Sequence, residues 1–245
     1  NLDNLLRPSR GRRMVLSQDV AGLGGNVKYV RTRGNIDFFF RLPRGFILNL
    51  GGEAGNITPW GGAEVSLTDR FFLGEPRFRG FGIRGVGPRV IRKPRNVNEE
   101  PFGPVNEDRN TWVDDAIGGQ NYYLGRAEVE IPLGAGAREL GLRPSAFVDI
   151  GALWKVRRPQ LLNEPTRQEE VCTPVPDEDP ICQNITIPGF QEFFLGNSAS
   201  PRISVGVGVS WNSPFGPFRF DVARALRKVE GDDTQVFQFN IGTQF

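Results

Sequence analysis

The sequence predicts an all-β fold, an antiparallel β-barrel whose strands cross a membrane. Three observations predict it. Apolar and polar residues alternate with period two along most of the chain, as half-buried strands require. The alternating stretches run to about ten residues, enough to cross a bilayer at a tilt. Short connections on one side face very long ones on the other, which is the outer-membrane barrel pattern. Composition agrees, since Gly 31, Pro 19 and Phe 19 in 245 residues suit many strands joined by turns.

Segment 14–22 alternates weakly. In 29–41, Val30, Thr32, Ile36, Phe38 and Phe40 share one face, and Arg31, Arg33, Asn35, Asp37 and Arg41 the other. Segments 46–54, 122–131 and 145–154 behave similarly. In 202–212, Ile203, Val205, Val207, Val209 and Trp211 alternate with Arg202, Ser204, Gly206, Gly208, Ser210 and Asn212. Segment 217–226 is read as a strand although "DVARALRKV" has helix-forming composition, because Phe218, Phe220 and Val222 alternate into it. The final strand, 235–245, alternates Phe237, Phe239 and Ile241 with Gln238, Asn240 and Gly242. Connections 42–45, 132–144, 213–216 and 227–234 are short or moderate, whereas 58–120 and 157–201 are very long. A soluble sandwich would alternate too. The charged or glycine-bearing polar face and the aromatics ending the apolar face (Trp154, Trp211, Phe245) favour a water-filled lumen and an interfacial girdle.

Several function classes are excluded or weakened. Lys and Arg number 30 against 28 Asp and Glu, so the net charge of +2 makes no case for nucleic acid. Histidine is absent, which removes the commonest general base and metal ligand. No run of 18 apolar residues marks a spanning helix. The chain opens on Asn1 with no signal peptide or initiator Met and is read as a piece of something longer. Gly80-Phe81-Gly82-Ile83-Arg84-Gly85 satisfies G-x-G-x-x-G, but a dinucleotide loop must open a helix, and Pro88 and Pro94 forbid one there. Glu99 and Glu100 have the spacing of a ribose-binding acid but sit in a loop-like stretch. Asp114 and Asp115 read as solvated loop charges, and no enzyme is expected. Cys172 and Cys182 lie within 157–201; an extracellular loop favours a disulfide there, two free thiols being the alternative. Two cysteines without histidine do not make a zinc site.

The stretch "FFLGEPRFRGFGIRGVGPR", 71–89, resembles the sixth extracellular loop of the BamA family of outer-membrane protein assembly factors. That family carries a Val/Ile-Arg-Gly-Phe/Tyr motif, and here it reads Phe78-Arg79-Gly80-Phe81, with Phe at the first position. "DDAIGGQNYYLGRAEVEIPLG", "PSAFVDIGALW" and "SPFGPFRFDVARALRK…GDDTQVFQFNIGTQF" are similar to later strands of the family in the same order. The resemblance covers essentially the whole chain. It implies that 1–245 is the C-terminal half of a transmembrane barrel, strands nine to sixteen of sixteen, without the first eight strands and the periplasmic POTRA domains. Physics agrees with a wider barrel: eight strands close around side chains alone, and an open sheet leaves edges unpaired in lipid.

The resemblance also implies roles. Arg79 reaches inside the barrel to wall acids, for which Glu128 and Asp149 stand at the family's positions; both fall on the polar face by parity, and Glu130 shares that parity and is a rival to Glu128. Arginine suits such a site because its planar fork pairs bidentately with carboxylates. The implied function is insertion and folding of outer-membrane proteins without ATP or any cofactor. The implied partners are unfolded outer-membrane clients, accessory lipoproteins (through the absent periplasmic domains) and outer-membrane lipid. The lateral seam lies at the last strand, with Phe237, Phe239, Ile241 and Phe245 facing lipid, Asn240 beside them, and Gly242 weakening the strand end. A TamA-like or two-partner secretion translocator of the same superfamily is the nearest alternative, with "AIGGQNYY" and "FNIGTQF" favouring the BamA family. A passive porin is the alternative of another class.

Overall fold

The computed structural model describes residues 1–4, 8–22, 24–25, 27–97, 100–134, 141–175, 178–213 and 216–242. Among them fourteen strands follow in chain order: β1 (Gly11–Ala21), β2 (Tyr29–Arg41), β3 (Ile47–Pro59), β4 (Arg89–Pro94), β5 (Val113–Ala116), β6 (Asn121–Glu130), β7 (Leu142–Trp154), β8 (Asn163–Glu164), β9 (Arg167–Val175), β10 (Glu178–Ile187), β11 (Phe190–Leu195), β12 (Arg202–Ser213), β13 (Gly216–Arg227) and β14 (Phe237–Ile241). Only three short 3-10 turns interrupt this β pattern among the described residues. The chain divides into two compact units, one of residues 1–88, 116–156 and 196–245, the other of 89–115 and 157–195.

The first unit is an eight-stranded antiparallel sheet in the order β1-β2-β3-β6-β7-β12-β13-β14. All eight strands expected from alternation are present. "DVARALRKV" is indeed extended, because β13 is hydrogen-bonded on both sides, with Val222 opposite Val207 on β12 and Phe237 on β14. Tertiary pairing overrides its helical composition. The final strand needs correction. Among the described residues regular pairing begins at Phe237 rather than at 235, because Gln235 gives its N–H to the Gly80 carbonyl at 3.2 Å. Phe245 lies outside the described residues.

Register separates the faces. Val148, Val205, Val207, Phe220, Val222, Phe237, Phe239 and Ile241 are exposed on one face, while Asp149, Ser204, Asp221 and Gln238 on the other are buried. Phe239 stacks between Phe218 and Phe220, at ring-centroid distances of 6.0 and 4.8 Å, so the last strand joins the apolar face through aromatic contacts. The buried face carries segment 71–88, whose Phe71, Leu73, Phe78, Phe81 and Val86 form a core with Ile57, Tyr122, Leu124 and Leu153 of the sheet. The sheet is thus inverted relative to a soluble protein: its broad apolar face is bare, and its polar face is covered by its own loop.

The stretches 58–120 and 157–201 are the long connections from β3 to β6 and from β7 to β12, but they carry strands that alternation did not show, most of them in the second unit. That unit holds a four-stranded sheet, β5-β4-β11-β8, and a β9-β10 hairpin. Strand β11 pairs antiparallel with β4 from Phe190↔Pro94 to Leu195↔Arg89. The partners are far apart in sequence, so local periodicity carried no sign of them. Asp114 is likewise not a free solvated charge, since it accepts from buried Arg89 at 2.6 Å. Cys172 and Cys182 are opposite one another in the hairpin and joined by a disulfide.

The bare apolar face should behave as a lipid contact. Val207→Lys, at the centre of β12, is expected to lower unfolding stability by about 2–4 kcal/mol in a bilayer. Asn35→Lys, on the opposite face, should stay within about 0.5 kcal/mol. Denaturant titration of bilayer-inserted protein measures both, and equal effects would contradict the assignment of faces.

Candidate functional site

The residues of the Arg-Gly motif converge on the buried face of the sheet. Phe78 and Phe81 are fully buried with ring centroids 4.6 Å apart, which seats the turn between them. Gly80 has φ +85, and a Cβ there would lie 3.0 Å from the Ser204 Cβ and 3.4 Å from the Ala223 Cβ. Glycine is therefore required twice over, by conformation and by the closeness of β12 and β13. Tight turning at this point aims Arg79 at the sheet.

Arg79 is 2% exposed and its donors are matched to carboxylates. Its Nε and Nη2 donate to Asp149 Oδ2 and Oδ1, each at 2.8 Å, a bidentate fork. Its Nη1 donates to Glu128 Oε2 at 2.8 Å. The guanidinium carbon also lies 3.3 Å from the centre of the Phe147 ring, so the fork stacks on an aromatic face. Register brings the acids together: Glu128 stands opposite Phe147 on β7, and Asp149 opposite Arg126 on β6. Glu130 takes another partner, Arg143 at 2.9 Å, which decides between the two same-parity acids in favour of Glu128.

Sequence reasoning missed the rest of this network. Arg219 donates to Glu128 Oε1 at 2.8 Å and to both oxygens of Asp221. Arg126 reaches Asp149 Oδ1 at 3.4 Å and the Arg77 carbonyl at 2.7 Å. Three guanidinium groups, of Arg79, Arg126 and Arg219, thus face the carboxylates of Glu128, Asp149 and Asp221. Charge balance of this kind is what permits ions inside a protein, where an unmatched one costs several kcal/mol. Parity could have flagged Arg219 and Asp221, which share the polar face of β13. Arg77 adds a second hold, pairing with Glu53, which Tyr122 also contacts through its hydroxyl. Burial disfavours the Arg77 charge, but Glu53 and Tyr122 together outweigh it and hold the guanidinium above the ordinary arginine range. Burial pushes the neighbouring Glu75 carboxyl up, and the Asp221 charge adds to the shift. Arg13, Asp37, Glu53, Arg77, Arg126 and Asn240 line a polar cavity of about 330 Å³ beside the cluster.

The glycine-rich stretch holds no phosphate cradle in this arrangement. Residues 80–85 form tight turns followed by β4, and their backbone groups bond to residues 233 and 235. Of the residues expected at a lateral seam, Phe237, Phe239 and Ile241 are exposed, while Asn240 faces the cavity. Gly242 has φ +118 yet still donates to the Pro217 carbonyl at 3.0 Å. Cys172 and Cys182 are exposed in the second unit.

Comparison with known proteins gives a consistent answer. A model of the Omp85 superfamily domain matches residues 1–245. "Outer membrane protein assembly factor BamA" of Neorickettsia risticii (strain Illinois) is 31% identical over 245 residues, covering 100% of this chain and 26% of that protein. BamA of Neisseria meningitidis serogroup B is 27% identical over 251 residues, covering 99% of this chain and 27% of that protein. The sorting and assembly machinery component 50 homologue of Bos taurus is 35% identical over 132 residues, 51% of this chain and 23% of that protein. The crystal structure of BamA from Haemophilus ducreyi lacking POTRA domains 1-3 shares the fold, with a TM-score of 0.68 at 21% identity over 98% of this chain and 39% of that one. The chain spans about a quarter of the length of the BamA relatives it matches.

Removal of the Arg79 side chain leaves the buried carboxylates of Glu128, Asp149 and Asp221 one positive charge short. Arg79→Ala should therefore cost on the order of 3–5 kcal/mol of local stability and open 71–89 to protease. Arg79→Lys should recover part of this, since a point charge replaces the fork but cannot pair bidentately. Limited proteolysis with mapping of the cut sites measures it; a loop as resistant in Arg79→Ala as in the parent would rule out the anchor.

Proposed function

This chain belongs to the Omp85 superfamily, and we propose that it is the C-terminal half of the barrel of an outer-membrane protein assembly factor, strands nine to sixteen of sixteen. Members of this family are β-barrel proteins of the outer membrane, and the bare apolar face of the sheet fits that setting. The observation that carries the reading is chain-long identity of 31% to an assembly factor, with the Arg79 cluster intact in this chain.

The proposed activity is insertion and folding of outer-membrane β-barrels, with no bond chemistry and no cofactor. The clients are unfolded outer-membrane proteins. Accessory lipoproteins would act through periplasmic domains outside this chain. The mechanism follows from the cost of unpaired backbone in lipid, several kcal/mol per group. Strand β14 is the last in the sheet, paired in register with β13 over Phe237–Ile241 and joined to it by one further backbone bond at either end, and its other edge has no strand partner among the described residues. In a closed barrel that edge meets the first strand. A seam that opens reversibly would present it to a client strand, which would add by β-augmentation. The Arg79 cluster holds segment 71–89 against the wall, keeping the lumen shaped while the seam opens.

Full-length protein in liposomes, supplied with an unfolded barrel client, tests the activity through the heat-sensitive gel shift of the folded client. Arg79→Ala should slow assembly on the order of tenfold, equivalent to about 1.4 kcal/mol on the barrier. A disulfide locking β14 to the barrel's first strand should abolish assembly until reduced. Normal rates in the locked protein would sink the lateral seam, and steady ion conductance without client folding would favour a passive channel. Replacing Cys172 and Cys182 together by Ser should leave the assembly rate unchanged, because the hairpin they close belongs to the other compact unit.

A further inference from the structure

A second buried ion pair lies apart from the Arg79 cluster. Arg202 and Asp232 both have side chains 0% exposed. Arg202 Nε donates to Asp232 Oδ2 at 3.0 Å, and its Nη2 to Oδ1 at 3.3 Å. Its remaining donors go to main-chain carbonyls: Nη1 to Ser198 and Ser200 at 2.5 and 3.1 Å, and Nη2 to Gly196 at 2.9 Å. Asp232 in turn accepts the N–H of Val229 at 2.7 Å and of Gly87 at 3.5 Å. The pair therefore joins three connections, around residues 87, 196–200 and 229–232.

The residues next to Asp232 continue the link. Gly82 N–H donates to the Asp233 carbonyl at 3.1 Å, Asp233 N–H to the Gly85 carbonyl at 2.9 Å, and Gln235 N–H to the Gly80 carbonyl at 3.2 Å. Gln238, fully buried on β14, donates its Nε2 to the Phe81 carbonyl at 2.7 Å. A Cβ on Gly85 would lie 2.5 Å from the Asp233 carbonyl oxygen, so only glycine admits this approach. The stretch that leads into β14 is thus laced to residues 80–87, directly after the arginine that grips β6 and β7.

We propose that Asp232, held by Arg202, is a positioning residue that couples the Arg79 loop to the last strand, so that the loop anchor and the seam strand loosen together. A buried aspartate held by two bonds from an arginine and by two amides is a rigid clasp, and both connected elements are backbone-bonded beyond it. Coupling of this kind is reciprocal: whatever frees the loop must free the strand, and the reverse. The consequence for client insertion rests on the assembly reading; the coupling does not.

Hydrogen exchange on the full-length protein in lipid nanodiscs, without client, tests it. Arg79→Ala should speed amide exchange at least tenfold at Phe237–Ile241 and at Asp233 and Gln235, although none of these touches Arg79. Asp232→Asn, nearly isosteric, should speed exchange at Gly82 and Gly85 and in 71–79 to a similar degree. Gly85→Ala should do the same with no charge changed, which keeps the test open if Asp232→Asn does not fold. Arg143→Ala, which breaks the half-exposed Arg143–Glu130 pair on the same sheet face, should move neither region. Faster exchange confined to 71–89 in Arg79→Ala, with Phe237–Ile241 unchanged, would overturn the coupling even if the parent protein assembles clients. Coupled exchange in a parent protein that assembles no client would uphold the clasp and refute the assembly reading instead.

Discussion

Arg79 binds the interior of this sheet to its own loop, and much of the rest of the structure follows from what a buried guanidinium demands. It needs carboxylates at the correct spacing, which fixes the register of β6 against β7 so that Glu128 and Asp149 arrive on one face. Those acids carry more negative charge than one arginine neutralises, and Arg219 and Arg126 complete the balance. The arginine must be delivered by a turn lying flat on the strands, which calls for glycine beside it and small residues, Ser204 and Ala223, below. The requirements are met from four strands, β6, β7, β12 and β13, so the site exists only when the sheet is assembled.

This arrangement also explains why a sheet with a broad bare apolar face can carry so polar an interior. In a soluble protein the apolar face would be the core. Here apolar side chains point away from the loop, and the covered face is held by ion pairs and aromatic stacking. Such pairs contribute less net stability than apolar packing of equal volume, but they are intolerant of misplacement. A loop seated by forks and backbone bonds adopts one position or leaves it, which suits the role proposed for it beside an opening seam.

The two compact units divide the labour differently. The eight-stranded unit contains the Arg79 cluster, the Arg202–Asp232 pair and β14, the parts on which the proposed assembly activity depends. The other unit is built from short strands with surface ion pairs such as Arg92–Glu192 and a disulfide-closed hairpin. Nothing in the proposed mechanism passes through it.

Alternation by itself determined the eight sheet strands, the face each presents, and the acids that share parity with the lumen, because period two is a local property of an extended chain. Resemblance in the Phe78–Phe81 motif pointed to Arg79 and its two partners. Only the tertiary structure chose Glu128 over Glu130, since that choice depends on the position of Arg143 across the β6–β7 pair. It alone revealed β4 paired with β11, the Arg202–Asp232 clasp, and the lacing of residues 80–87 to 233–238. The last of these also shortened the final strand, by taking the Gln235 amide for Gly80. These contacts join residues from 30 to 157 positions apart, and neither spacing nor composition encodes such pairings; they are decided when the strands find their register and the buried donors must each find an acceptor.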